Sequence, residues 1–372
     1  MKSNKTEDKP LVSVSIPAYN KPEYTRKTLR SIVEQTYRPI EIVLSDDGSP
    51  NSLASLAEEI SKIDDEALTI RFYRHEKNLG PLKNITFSAL EAKGKYLMLM
   101  PHDDWLVDDL FIAETVQLME EDGDCNLCCA NSLLENTDEP MNIHLPSYLH
   151  ADNDWVLVNG DEYINLLGGD IEYQAYSAII CNWEKLNPMG AYKYPFCLDE
   201  EITAPLGIMP DEGFVFQLLL SSIGSVAVTN KIVSVRGEPP DSYSRSQAWH
   251  QVVGQALFML MYNVYSSDLD GKYAKAIKKR AKYWAVFYYP VEKFNLKILK
   301  HYKYDYRAVL LMIASYIYSL LTRNFYVLFV KRLYSIIKNN GFTYLIGKVK
   351  AKSKERGIVF YLKRILMPFV IK

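Results

Sequence analysis

Two stretches set carboxylates side by side after an apolar run. "IEIVLSDDGS", residues 40–49, ends on Asp46 and Asp47 before Gly48. "GKYLMLMPHDDW", residues 94–105, ends on Asp103 and Asp104. Adjacent like charges repel, and a buried charge is costly without a partner. Hard divalent cations such as Mg2+ and Mn2+ prefer oxygen ligands and use one or two carboxylates plus substrate phosphates. A cation arriving with a diphosphate neutralises charge on a departing nucleotide diphosphate. Singly, each pair has a plainer reading: an Asx turn at 46–48 and a helix cap at 103–104. Both at strand ends of one α/β unit point to a site.

The elements that must hold these residues are legible. "LVSVSIPAYN" (11–20) alternates apolar and small polar residues and reads as a strand ending in a loop. Pro22 opens a helix with Leu29, Ile32 and Val33 on one face. The pattern continues with a strand at 40–46, a helix at 52–62, a strand at 68–74 ("LTIRFYR"), a helix at 82–94 and a strand at 95–100 ("KYLMLM"). A helix at 108–121 and the strand "NLCCANSLL" (126–134) follow. This alternation predicts a parallel α/β sheet covered on both faces. Ligands of such sheets bind at the carboxyl ends of strands. Tyr19, Asp47 and Asp104 fall at those ends.

The chain has 372 residues and a net charge of -2, which hides a split. Residues 1–271 hold 20 Lys/Arg against 42 Asp/Glu, and residues 272–372 hold 23 against 3. A basic tail suggests an anionic partner. Five cysteines without a second ligand pair at metal spacing read as small apolar residues of a reducing compartment. The polar start "MKSNKTEDKP" lacks the apolar stretch of a secretory signal, so the expected location is cytoplasmic.

The segments "VSIPAYNKPEYTRKTLRSIVEQTYRPIEIVLSDDGSPN" and "NLGPLKNITFSALEAKGKYLMLMPHDD" resemble the inverting, nucleotide-sugar-dependent glycosyltransferases of the GT-A fold, family 2-like in kind. The likeness is close over residues 11–125 and looser to 246. It implies a GT-A type, mostly parallel sheet flanked by helices. It also implies Mn2+ or Mg2+ and a nucleotide-sugar donor, a UDP-sugar being favoured, of hexosyl or N-acetylhexosaminyl type. By the same resemblance Pro17, Ala18, Tyr19 and Asn20 contact the nucleotide, and Asp47 accepts a hydrogen bond from the base. Lys83 lies near the nucleotide, Asp103 faces the ribose and the metal shell, and Asp104 ligates the metal. His102 departs from the common pattern, where a small residue or Asp is frequent. The catalytic base falls in "MPDEGFVFQLLLSSIG", on Glu212 with Asp211 as fallback, although the family usually has Asp at the position of Glu212. Arg236, in "VSVRGEPPDSYS", is a candidate to offset diphosphate charge.

Three regions are expected: a nucleotide-sugar-binding half at 1–125, an acceptor-side half at 126–246, and a helical, basic region at 247–372. The last mixes aromatic and aliphatic residues with cations, as in "FYVLFVKRLYSIIK" and "IVFYLKRILMPFVIK". The apolar run 308–321 is 14 residues long, short of the roughly 20 that span a bilayer. Such stretches suit helices lying in an anionic membrane interface; a bundle packed on the catalytic domain is the competing arrangement. No recognised nucleic-acid module accompanies the charge, so a nucleic-acid partner is not expected. The expected function is transfer of one sugar, with inversion, to a glycan acceptor, lipid-linked and destined for a surface polysaccharide, at the inner face of the cell membrane. The alternatives are a nucleotidyltransferase on a similar sheet, which would want a Gly-rich phosphate loop that "IPAYNKPEY" does not supply, and a non-catalytic membrane adaptor.

Overall fold

The computed structural model describes residues 9–137, 140–141, 155–167, 176–188 and 220–239. Their order is β1 (Val12–Ala18), α1 (Pro22–Val33), β2 (Ile40–Asp46), α2 (Ala54–Ser61), β3 (Leu68–Arg74), α3 (Pro81–Leu90) and β4 (Tyr96–Leu99). Then come β5 (Trp105–Leu106), α4 (Phe111–Glu121), β6 (Cys125–Leu134), β7 (Pro140–Met141), β8 (Val156–Asn159), α5 (Gly160–Leu167), a 3-10 turn at Tyr176–Ala178, β9 (Ile179–Asn182), α6 (Trp183–Leu186) and β10 (Ser225–Arg236). One sheet holds them in the order β3-β2-β1-β4-β9-β6-β10-β5, with β7 beside β6 and β8 beside β10.

The first four strands pair in parallel, as the strand–helix alternation requires. Beyond β4 the sheet is mixed. β9 lies antiparallel between β4 and β6, so those two run in the same sense, and β10 runs parallel to β6. The two-residue strand β5 pairs antiparallel with the end of β10, at Leu106–Ser234 and Trp105–Val235. That pairing delays α4, which starts at Phe111 and not at 108.

The alternation in β1 has a different meaning from the usual half-solvated strand. Val12, Val14 and Ile16 join Ile40, Ile42, Leu44, Tyr96 and Met98 in the core. The other face, Ser13, Ser15 and Ser45, is equally buried, beneath α3. Ser15 Oγ donates to Ser88 Oγ at 2.7 Å and Ser45 Oγ to Asn84 Oδ1 at 2.6 Å. Small hydroxyls allow the helix to approach closely while these buried serines keep hydrogen-bond partners. α1 turns Leu29 and Ile32 inward, with Pro22 at its first turn and Glu23 and Arg30 placed to complement its dipole. Cys125, Cys128, Cys129 and Cys181 are free thiols buried in the sheet, as expected of small apolar residues.

Candidate active site

The parallel strands deliver three turns to one edge. Ala18 pairs with Asp46, and Ser15 with Leu99. Just beyond, Asp47 N donates to the Ala18 carbonyl and Met100 N to the Ser15 carbonyl, both at 2.8 Å. The turns at 17–20, 46–49 and 101–104 therefore leave the sheet side by side. β6 and β10 end at the same edge and add Glu135, Gly237 and Glu238.

Asp46 and Asp47 divide the work of their turn. Asp46 is fully buried and accepts from Ser49 N (2.9 Å), Leu53 N (3.2 Å) and Arg74 Nη1 (2.8 Å), so it braces the turn against α2 and β3. Asp47 points towards the loop before α3: Oδ1 accepts from Leu79 N at 2.7 Å and Oδ2 from Gly80 N at 3.0 Å. Burial pushes the Asp47 carboxyl up, and the two amides and the nearby His75 oppose this. At Gly48, φ is +68° and an added Cβ would lie 2.9 Å from the Lys77 carbonyl carbon, so the turn requires glycine.

The turn after β1 is held as firmly. Asn20 and Lys21 both take left-handed φ, 59° and 56°, and Asn20 N donates to Ser49 Oγ at 2.8 Å. This tight reversal into α1 leaves Tyr19 43% exposed at the edge. Pro17 is half-buried and Ala18 buried, so backbone is what they offer there. Asn84 Nδ2 supports both turns from below, reaching the carbonyls of Ala18 (3.4 Å) and Ser45 (3.1 Å). Lys83 is exposed in the first turn of α3.

The third turn carries Asp103 and Asp104, which the structure treats differently. Asp104 is 3% exposed and turned inward. Its Oδ2 accepts from Ser177 Oγ at 2.8 Å and its Oδ1 from Gly237 N at 3.1 Å. Burial, with Asp103 beside it, pushes its pKa up to about 7; Arg236, Ser177 and Gly237 oppose the shift. Asp103 is half-buried, and no hydrogen bond among the described residues engages its carboxylate. The turn's backbone is pinned by Thr28, whose Oγ1 lies 3.0 Å from the His102 carbonyl and 2.6 Å from that of Asp104. The His102 ring sits against the backbone carbonyls of Pro17 and Tyr19, and burial holds its pKa below the ordinary value. Its Nε2 is sealed from solvent without a hydrogen-bond partner.

Does this turn fit a divalent cation? Among the described residues no three His, Cys, Asp or Glu side chains cluster as a complete site. The Asp103 carboxylate is uncommitted, and the orphaned His102 Nε2 belongs to a ring whose pKa burial lowers. This donor set fits a cation that brings most of its oxygen ligands on a diphosphate. Asp104, the direct ligand expected from the sequence, accepts from Ser177 and Gly237 inside the protein, and Asp103, expected beside it, carries the carboxylate that no hydrogen bond among the described residues engages.

Glu212 and Asp211 lie outside the described residues, as does the whole of 247–372. The sequence reading missed Thr28, Ser177, Gly237 and the amides of Leu79 and Gly80. Gly237 left a trace as the glycine of "VRGEPP" after a strand. A lone serine left none, and backbone donors leave none at any position.

The sequence model of Glycosyl transferase family 2 matches residues 13–160. Glycosyltransferase GlyA of Streptococcus pneumoniae is 26% identical over 222 residues, which is 59% of this chain and 29% of GlyA. The chain thus spans under a third of that relative's length. Among solved structures, S. aureus TarS 1–349 in complex with UDP-GlcNAc superposes with a TM-score of 0.57 at 16% identity, covering 83% of this chain and 81% of the other. Mannosyltransferase PcManGT from Pyrobaculum calidifontis, in complex with GDP-Man and Mn2+, gives 0.51 at 13% identity, covering 98% and 87%. The fold is a mixed α/β sheet with flanking helices, similar to these GT-A structures.

Proposed function

We propose that this chain, which carries a glycosyl transferase family 2 domain over residues 13–160, transfers one sugar from a nucleotide-diphosphate sugar to a glycan acceptor with inversion at the anomeric carbon. The observation that carries the reading is the meeting of the Tyr19, Asp47 and Asp103 turns at the carboxyl edge of the sheet, inside that domain. The nucleotide sugars held by TarS and PcManGT support a donor of that class.

In this reading Tyr19 and Asn20 flank the nucleotide. Asp47 fixes the Leu79–Gly80 loop and accepts a hydrogen bond from the base with a remaining lone pair, and Lys83 adds charge at the pocket's margin. Asp103 faces the diphosphate and would hold Mn2+ or Mg2+, with His102 as a further donor. The cation supplies charge neutralisation on the leaving diphosphate. Arg236, whose charge is felt at Asp104, adds to the positive side of the balance. Glu212, or Asp211, takes the proton of the attacking hydroxyl, since inversion needs a single carboxylate within hydrogen-bond reach of the acceptor.

The acceptor side is assigned to 126–246. The basic stretch 247–372 is assigned to an anionic membrane surface on the cytoplasmic side, which favours a lipid-linked glycan as acceptor. The deciding experiment is a panel of nucleotide sugars offered to the purified protein with Mn2+, Mg2+ or chelator. Metal-dependent binding and slow hydrolysis of one donor are expected; absence of both across UDP-, GDP-, dTDP- and CMP-sugars would overturn the reading.

A further inference from the structure

We infer that Ser177 is a positioning residue for the donor turn: it holds Asp104 so that the neighbouring Asp103 faces the donor's diphosphate. The inference rests on the donor-site reading above.

Three buried hydroxyls lead to one carboxylate. Ser132 Oγ on β6 lies 2.8 Å from Ser234 Oγ on β10, and Ser234 Oγ lies 3.2 Å from Ser177 Oγ in the 3-10 turn. Ser177 Oγ lies 2.8 Å from Asp104 Oδ2. All four groups are at most 3% exposed. Ser177 Oγ donates to Asp104 Oδ2, so Ser177 accepts from Ser234, and Ser234 from Ser132. Hydrogen bonds aligned in one sense strengthen one another in a dry interior. The chain ties the turn after β4 to β6 and β10, strands far along the sheet, through a residue placed just before β9. The other oxygen is held by the Gly237 amide, so Ser177 supplies the side-chain donor that substitution can remove.

Without that hydroxyl, Oδ2 is a buried acceptor with no partner. A carboxylate in that state turns towards another donor or towards water. Asp103 is its chain neighbour, so the carboxylate that meets the cation moves with it. The loss should therefore fall on metal-dependent binding and spare the part of nucleotide binding made by Tyr19, Asn20 and the Asp47 loop.

The test is calorimetric titration of UDP, or GDP if the wild type prefers it, with and without Mn2+. The proteins are wild type, Ser177→Ala, Asp104→Asn and the double variant. Ser177→Ala should weaken binding in Mn2+ about tenfold, the scale of a lost hydrogen bond to a charged group, and leave binding in chelator within about twofold, inside ordinary additivity error. In the Asp104→Asn background the same change should cost less than about twofold, because residues that act through one another are non-additive. If Ser177→Ala does not fold, Ser234→Ala, one hydroxyl further from the carboxylate, should give the same pattern on a smaller scale. Equal losses with and without Mn2+, additive losses in the double variant, or undiminished binding in both serine variants each overturn the inference. A wild type that binds no nucleotide with Mn2+ overturns the donor-site reading and this inference with it.

Discussion

Gly237 donates its backbone N–H to Asp104 Oδ1 at 3.1 Å, and a methyl group on its Cα would lie 1.9 Å from the Asp103 carbonyl oxygen. The end of β10 thus rests directly on the backbone of the acidic turn, with no room for a side chain between them. Tyr24 Cε1, 3.2 Å from the same point, closes the other side.

Gly237→Ala should push the turn away from β10. Inserting a methyl group into a packed site costs about 1–3 kcal/mol, so a lower midpoint is expected in thermal unfolding. Nucleotide binding in Mn2+ should fall at least about tenfold, because roughly ångström displacements of a positioned group already cost that much. A variant with wild-type affinity would show that the turn's position does not matter to binding.

Asp103→Asn and Asp104→Asn should separate. Asp103 has no hydrogen bond to lose among the described residues, so Asn at 103 should leave stability nearly unchanged and lower metal-dependent transfer by about 10² or more. Asn at 104 can accept from Gly237 N with Oδ1 and donate from Nδ2 to Ser177 Oγ, so it should also fold, with the smaller rate loss. Rates measured in saturating Mn2+ decide the matter, and the reverse ranking returns the ligand role to Asp104.

Asp46→Ala should be the stability variant of the other pair. It strips the acceptor from Ser49 N and Leu53 N and removes the charged partner of Arg74, which keeps its bond to the Ser49 carbonyl. Unpartnered buried donors cost about 1–3 kcal/mol each, and Arg74, more than a third exposed, regains water and adds little. Urea denaturation should show a loss of about 2–5 kcal/mol, within that range summed over two amides. Asp47→Asn should cost less stability. It sets an amide N–H against one of the backbone N–H groups of Leu79 and Gly80, so the nucleotide-side loop should loosen and nucleotide affinity fall even in chelator.

Glu212→Gln keeps the side chain's shape and removes its basicity. Donor affinity should stay near wild type while turnover falls by about 10²–10⁴-fold. If Asp211→Asn is the damaging change instead, the base is the first member of the pair.

The full-length chain should sediment with anionic vesicles. Salt should weaken the binding, because exposed charges are screened beyond roughly 8–10 Å near physiological ionic strength. A chain ending at Asp270 should lose vesicle binding and keep nucleotide binding. Failure of the full-length chain to bind at low salt removes the ground for a lipid-linked acceptor.

The sequence by itself determined the parallel half of the sheet and the turns at its edge. β3 falls on "LTIRFYR", and α1 opens at the proline that marks it, because these elements follow from local periodicity and punctuation. The mixed half was not legible. β9 and β5 are four and two residues long, too short to carry a period, and β9 finds its place antiparallel only by completing the sheet between β4 and β6. The same division runs through the site. The sequence singled out Asp103 and Asp104 as an acidic pair at a strand end, but could not say which faces outward. That was decided by Ser177, 73 residues away, and Gly237, 133 residues away, whose donors claim one carboxylate for the interior and leave the other open. A buried carboxylate is tolerated only where donors converge on it, and convergence from two separate strand ends onto a third is a property of the folded sheet.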